Sequence, residues 1–196
     1  MRRRVMGILA AFGLAAASVV LGSGTAHAAT WTVTPVGPYS AASTTTLVLT
    51  DTSTGTQLNC TSGTASGQAG PVVVDRLATI TGSTWSNCSG PSGITFNVAH
   101  AGTWAIHGLS HSGGVTQGTI RNIAARLSGP FCSATVSGTV NGNYTNGTGI
   151  LNVVAAGSTL RISNVSGCFG LLRNGDGATF VGSYRVTPAF TVGYTP

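Results

Sequence analysis

The segment CSATVSGTVNGNYTNGTGILNVVAA, residues 132–156, decides the fold. Its apolar side chains recur at every second position, as on a strand with one covered face, and not every third or fourth as on a helix. Asn146-Gly147 lies in the middle, a pair that tolerates the positive φ of a two-residue type I′ turn. Folding about that pair sets Tyr144 against Gly149, Gly142 against Leu151, Val140 against Val153 and Gly138 against Ala155. Val136, Val140, Tyr144, Leu151 and Val153 then share one face. Ser137, Thr139, Asn141, Asn143, Thr148 and Asn152 share the other, interrupted by Ile150 and Val154. A hairpin with one apolar and one hydroxyl-rich face belongs to an antiparallel sheet covered on one side.

The same period continues outward. Ile94–Leu109 predicts a second hairpin around His100-Ala101-Gly102, with Gly102 left-handed, Val98 opposite Trp104 and Phe96 opposite Ile106. Further strands are expected over 31–36, 44–50, 57–61, 72–80, 118–127, 158–162, 179–186 and 190–194, although 121–127 would also suit a helical turn. Turn clusters stand at 51–55 and 173–177. About ten short strands predict an all-β chain with a single β-sandwich or barrel-like domain.

Residues 1–28 read as a cleavable export signal. Arg2, Arg3 and Arg4 precede the apolar run Val5–Leu21, and Ala26-His27-Ala28 supplies the small-x-small cleavage pattern. A membrane anchor is the alternative, but that run has 17 residues, short of the roughly 20 needed to span a bilayer. The expected exported domain is therefore 29–196, which is 196 less 28, or 168 residues.

Charge is scarce: only 6% of residues, all nine cations being arginine and all three anions aspartate (Asp51, Asp75 and Asp176). Most chemistry built on a buried lysine, on a glutamate base or on a carboxylate cluster is thereby excluded. Arg76, Arg121, Arg126, Arg161, Arg173 and Arg185 are scattered singly, without the clustering and stacking aromatics of a nucleic-acid footprint.

Four cysteines in an exported chain imply two disulfides, with three connectivities open. Zinc is disfavoured, because no Cys-x-x-Cys pair exists and the spacings of 28, 44 and 36 carry no ligand signature. The flanking sequence favours one pairing. ITGSTWSNCSG (80–90) and LRISNVSGCFG (160–170) share an aliphatic residue eight before Cys, a bulky apolar residue three before, Ser two before and Gly two after. This similarity favours Cys60–Cys88 and Cys132–Cys168, one bridge in each half of a duplicated domain. Chance similarity in a Ser/Thr/Gly-rich background is the alternative.

No catalytic, cofactor-binding or metal residue emerges, and no cofactor is expected. His107 and His111 would share a strand face but lie about 13 Å apart at 3.3 Å per residue, too far for one metal. Their parity opposes that of Trp104 and Ile106, so His100, His107 and His111 are expected to face solvent. Asp75 or Asp176 could complete a Ser-His-Asp triad, yet no serine sits in a Gly-x-Ser-x-Gly elbow. Trp31, Trp85 and Trp104 could stack on sugars, but Trp104 has core parity and Trp85 matches Val165 in the repeat, which favours packing.

The leader, the lysine-free body and runs such as LTDTSTG (49–55) and LSGPFC (127–132) resemble small exported β-rich proteins of high-GC actinobacteria. The similarity is one of composition and texture over most of the domain, and it transfers no functional residue. The expected function is that of an exported, non-catalytic protein of the extracellular space or cell envelope, a binding or structural module of unknown ligand, with cell-envelope components as candidate partners. A secreted hydrolase with a loop-built site and an outer-envelope β-barrel are the alternatives.

Overall fold

The computed structural model describes residues 29–196; residues 1–28, where an export signal is expected, lie outside the described residues. Thirteen strands form: β1 (Thr30–Thr34), β2 (Gly37–Ser43), β3 (Leu47–Asp51), β4 (Gln57–Val73), β5 (Arg76–Ser89), β6 (Thr95–His100) and β7 (Trp104–Ser112). They continue as β8 (Val115–Gly129), β9 (Cys132–Thr145), β10 (Ile150–Val154), β11 (Leu160–Gly167), β12 (Gly177–Thr187) and β13 (Thr191–Thr195).

All pairings are antiparallel, and eleven of the strands close on themselves. β4, β5, β8, β9 and β12 run the full height. Three remaining positions are each filled by two short strands end to end: β2 and β3 between β12 and β4, β6 and β7 between β5 and β8, β10 and β11 between β9 and β12. The result is an up-and-down barrel with eight wall positions in chain order. Eight positions give an interior that side chains can just fill. Closure also leaves no free strand edge in the wall.

Apolar residues at alternate wall positions fill that interior. Leu47, Val140 and Ile162 are fully buried. Leu47 fits because glycine faces it from both sides: a Cβ on Gly63 would lie 2.6 Å from its Cδ1, and one on Gly182 would collide with Cδ2. The strands β1 and β13 pair only with each other and close one end of the barrel. Trp31 lies across Gly108, where a Cβ would stand 2.7 Å from the indole, and Phe190 stacks on Tyr144 at 4.6 Å. This is the ribbon end. The opposite, bridged end carries both disulfides.

The expected pairing of the bridges is present: Cys60–Cys88 and Cys132–Cys168. Cys60 lies near the start of β4 and Cys88 near the end of β5; Cys132 begins β9 and Cys168 follows β11. In a ring of eight these are equivalent places, four positions apart. The residue before the second cysteine is left-handed in both, Asn87 at φ +50° and Gly167 at +72°.

Three expectations need correction. Around 146–149 the loop has four residues, not two. Gly149 N–H and the Thr148 hydroxyl both donate to Thr145 O, so Tyr144 faces Leu151 and Gly142 faces Val153. Asn146 is occupied elsewhere, its side chain bonding both N–H and C=O of Val192 on the edge of β13. The slip is two residues, an even number, so the predicted faces stand. Residues 94–109 form no hairpin: β6 and β7 never pair with each other and run on in one direction. Gly102 is left-handed at φ +72° as expected, but Ala101 N–H bonds to Ala124 O and keeps the chain on β8. Residues 121–127 are strand, with a bulge at Asn122 (φ +60°) in place of a helical turn. β2 carries no alternation signal of its own, since GPYSAAS offers only Tyr39 as a large apolar residue.

Candidate functional site

Three places deserve weighing as sites: the barrel interior, the titratable side chains, and the two ends.

The interior holds an apolar cavity of about 80 Å³ lined by residues such as Leu47, Trp85, Trp104, Val140, Phe180 and Tyr184. That is about half of the roughly 150 Å³ dry cavity that takes up benzene. It is also well below the ~300 Å³ at which metabolite-sized ligand pockets begin. The interior is therefore a core with a residual void. Burial raises the Tyr184 and Tyr39 hydroxyls well above the usual phenol range, so both remain neutral.

The three aspartates do not converge on one site. Asp51 is buried in the β3–β4 turn, where its Oδ1 accepts Ser53 and Thr54 N–H. Asp176 closes the segment after β11, its carbonyl accepting from Ile162 N–H. Asp75, at the β4–β5 tip on the ribbon end, accepts from His107 Nδ1 at 2.9 Å and lies 3.5 Å from Arg121 Nη2. The His107 hydrogen bond first, then its charge and that of Arg121, hold the Asp75 carboxyl below the usual range against a partial opposing effect of burial. No hydroxyl is bonded to His107 Nε2 among the described residues, so the pair is two members of a triad without a nucleophile.

This pair gives a pH prediction. An unfolded aspartate titrates near ~3.9, and the folded value is lower. Its stabilisation is full above the unfolded value and disappears as pH falls through the folded one. Asp75→Asn should lower stability at pH 6 by at most about 1 kcal/mol, the pair being part-exposed. Thermal melts of the two proteins should converge as pH falls toward ~2–3; a gap that persists there would assign the loss to the hairpin tip and not to the charge.

The histidines are less exposed than parity suggests. His100 shares the inward side of β6, stacks on Trp104 at 4.4 Å and bonds Gly102 O through Nε2. His111 bonds the Thr116 hydroxyl. The solvent-facing expectation fails for two reasons: His100 shares the inward parity of Val98 and Trp104, and the bulge between Gly108 and Ser110 turns His111 to the side of the buried Thr116. Trp31 and Trp104 are buried, and Trp85 is half-buried beside Trp104 at 6.1 Å, so no tryptophan platform faces outward.

The outer wall is polar. On β9 the outward residues are Ser133, Thr135, Ser137, Thr139, Asn141 and Asn143. One rung crosses four strands through Gln117, Asn143, Asn152 and Ser183; Asn152 Nδ2 donates to Asn143 Oδ1 at 3.1 Å and Ser183 Oγ to Asn152 Oδ1 at 2.6 Å. Large exposed apolar side chains occur only at the barrel ends among the described residues: Val36, Val73, Val74 and Leu109 near the ribbon, Phe131 and Phe169 at the bridged end.

The phenylalanine pair is built deliberately. Phe131 is 71% exposed at the β8–β9 tip and Phe169 83% exposed after β11, their rings 6.5 Å apart at 60°. Each adjoins a cysteine of the same bridge. Cys168 N–H donates to Phe131 O at 2.9 Å, and Gly167 leaves no room there for a Cβ. Gly167, Cys168, Phe169 and Gly170 all have positive φ, +47° at Phe169. A phenylalanine in that region costs strain, which tends to collect at functional positions. Alternation and composition could not single out these residues. The available signal was a phenylalanine beside each cysteine of one predicted bridge.

No helix among the described residues is long and apolar enough to cross a membrane. Comparison of the chain with protein-family models, with curated proteins and with solved structures finds no match.

Proposed function

We propose that this chain is an exported, non-catalytic module of the extracellular space or cell envelope that works by surface contact through the Phe131–Phe169 tip. The observation that carries this reading is the pair itself: two exposed rings on a strained turn, tied by a disulfide, and the only large aromatic side chains exposed among the described residues. Two bridges suit an oxidising compartment. The polar outer wall weighs against an outer-envelope barrel, which needs an apolar band about 25 Å tall facing lipid. An Asp75–His107 pair without a bonded hydroxyl weighs against a hydrolase.

The test is fractionation of an exporting actinobacterial host. Phe131→Ser with Phe169→Asn should move the protein from the envelope fraction to the medium by about tenfold or more, as loss of paired aromatic anchors does. Alanine at His100, His107 and His111 together should leave the distribution unchanged. Equal retention of the phenylalanine variant, or a hydrolytic turnover abolished in the histidine variant, would overturn the reading.

A further inference from the structure

The ribbon end contains a cleft of about 190 Å³, larger than the interior cavity. Pro35, Val36, Pro38 and Pro188 line it together with Tyr39 and Phe190. No charged side chain lines it. The polar atoms of its aromatic residues are already engaged: Tyr39 Oη donates to Thr79 O, while Phe190 O and N–H both bond Tyr144 Oη. The proline rings have fixed φ, and Val36 is packed against Gly70, where a Cβ would stand 2.8 Å from its Cγ2. The cleft is thus preformed, uncharged and mostly apolar. Its volume exceeds the roughly 150 Å³ that accommodates benzene, so it takes one phenyl ring.

At the opposite end Phe169 projects one phenyl ring. The cavity beneath that end measures about 20 Å³, too small for a ring. The wall has no free edge to recruit a further strand, and the β13 edge is covered at Val192 by Asn146.

We infer that Phe169 of one copy enters the proline-lined cleft at the ribbon end of a second copy, joining barrels head to tail. This rests on the proposed contact role of the tip and names its partner as the chain itself. Knob and receptor stand at opposite ends of the barrel axis, so the contact is heterologous and repeats without closing into a dimer. One ring in one cleft buries far less than the ~800 Å² per partner typical of stable complexes. The association is therefore weak at each joint and gains only from multiplicity on a surface or at high local concentration.

Sedimentation equilibrium of residues 29–196 over ~0.02–1 mM, a range suited to weak joints, should show a mass that rises with concentration and does not level off at two copies. Phe169→Asn removes the knob; asparagine tolerates the left-handed φ. Val36→Arg places a charge on the receptor, and Val36 is already 56% exposed, so both variants should fold. Each alone should remain monomeric, with the association constant reduced at least about tenfold. Mixing them should restore association as one-to-one pairs only, because one variant keeps the receptor and the other the knob. A plateau at the dimer, failure of the mixture to pair, or wild-type association in either variant would overturn the inference. A wild-type protein that stays monomeric while the tip still governs envelope retention would also overturn it, and would leave the contact role standing with another partner.

Discussion

Trp104→Ala is expected to destabilise the barrel by about 3–5 kcal/mol, the range for emptying a buried aromatic site. Trp104 is 7% exposed and stands at the waist, where β6 gives way to β7. Its ring lies between His100 at 4.4 Å and Trp85 at 6.1 Å, and its Nε1 donates to Ala101 O at 3.0 Å. The indole therefore fills the core and also ties down the break in the strand. It already borders the 80 Å³ void, so truncation would enlarge an existing hole that the ladder of a closed barrel cannot collapse. Urea unfolding should report the loss, with a fall in Tm of roughly 10 °C. Trp104→Phe should cost less, keeping most of the ring and losing the Nε1 bond. A melt within a degree or two of wild type for the alanine variant would mean that the waist is held by β5 and β8 alone.

Alternation made the wall legible and the closure illegible. Residues 132–156 showed which side chains face inward, because parity survives any even slip in register, as the two-residue shift at Asn146 demonstrates. The length of the loop depended on a partner far away in sequence, Val192, which engages the Asn146 side chain. The break at 101–103 shows the same limit. A left-handed glycine between two apolar runs fits a reversal as well as an offset, and the Ala101–Ala124 bond decides between them. Cysteine flanks revealed the bridges because the two halves of the ring place them at equivalent positions. The candidate site fared worst. Phe131 and Phe169 would be counted as core by hydrophobicity, and only the positive φ values from Gly167 to Gly170 turn Phe169 outward. The proline-lined cleft joins residues 35–39 to 188–190, a contact that no local pattern announces.

The second large effect concerns the bridges, which chain entropy alone would make nearly equal. Closing loops of 28 and 36 residues restricts the unfolded chain by about 3.5–4 kcal/mol in each case, with a difference of only ~0.2 kcal/mol. Their native surroundings differ more. Cys60 and Cys88 face each other inside a long ladder between β4 and β5, so alanine at both leaves the strands paired. Cys132–Cys168 holds a segment that returns along β11 through a few bonds, Gly175 N–H to Ile162 O and Val165 N–H to Asn174 Oδ1 among them. Without the bridge, Cys168 and Phe169 have little reason to remain left-handed, and relaxation of that strain favours opening. Cys132→Ala with Cys168→Ala is therefore expected to cost less than the roughly 4 kcal/mol of chain entropy, and less than Cys60→Ala with Cys88→Ala, whose strands have no such strain to release. Hydrogen exchange should accelerate at residues 167–176 well before global unfolding. The same variant should lose head-to-tail association while the rest of the barrel stays folded. Equal losses from the two pairs, with exchange at 167–176 unchanged, would show that the turn presenting Phe169 holds its shape without the bridge, and that both disulfides act only on the unfolded chain.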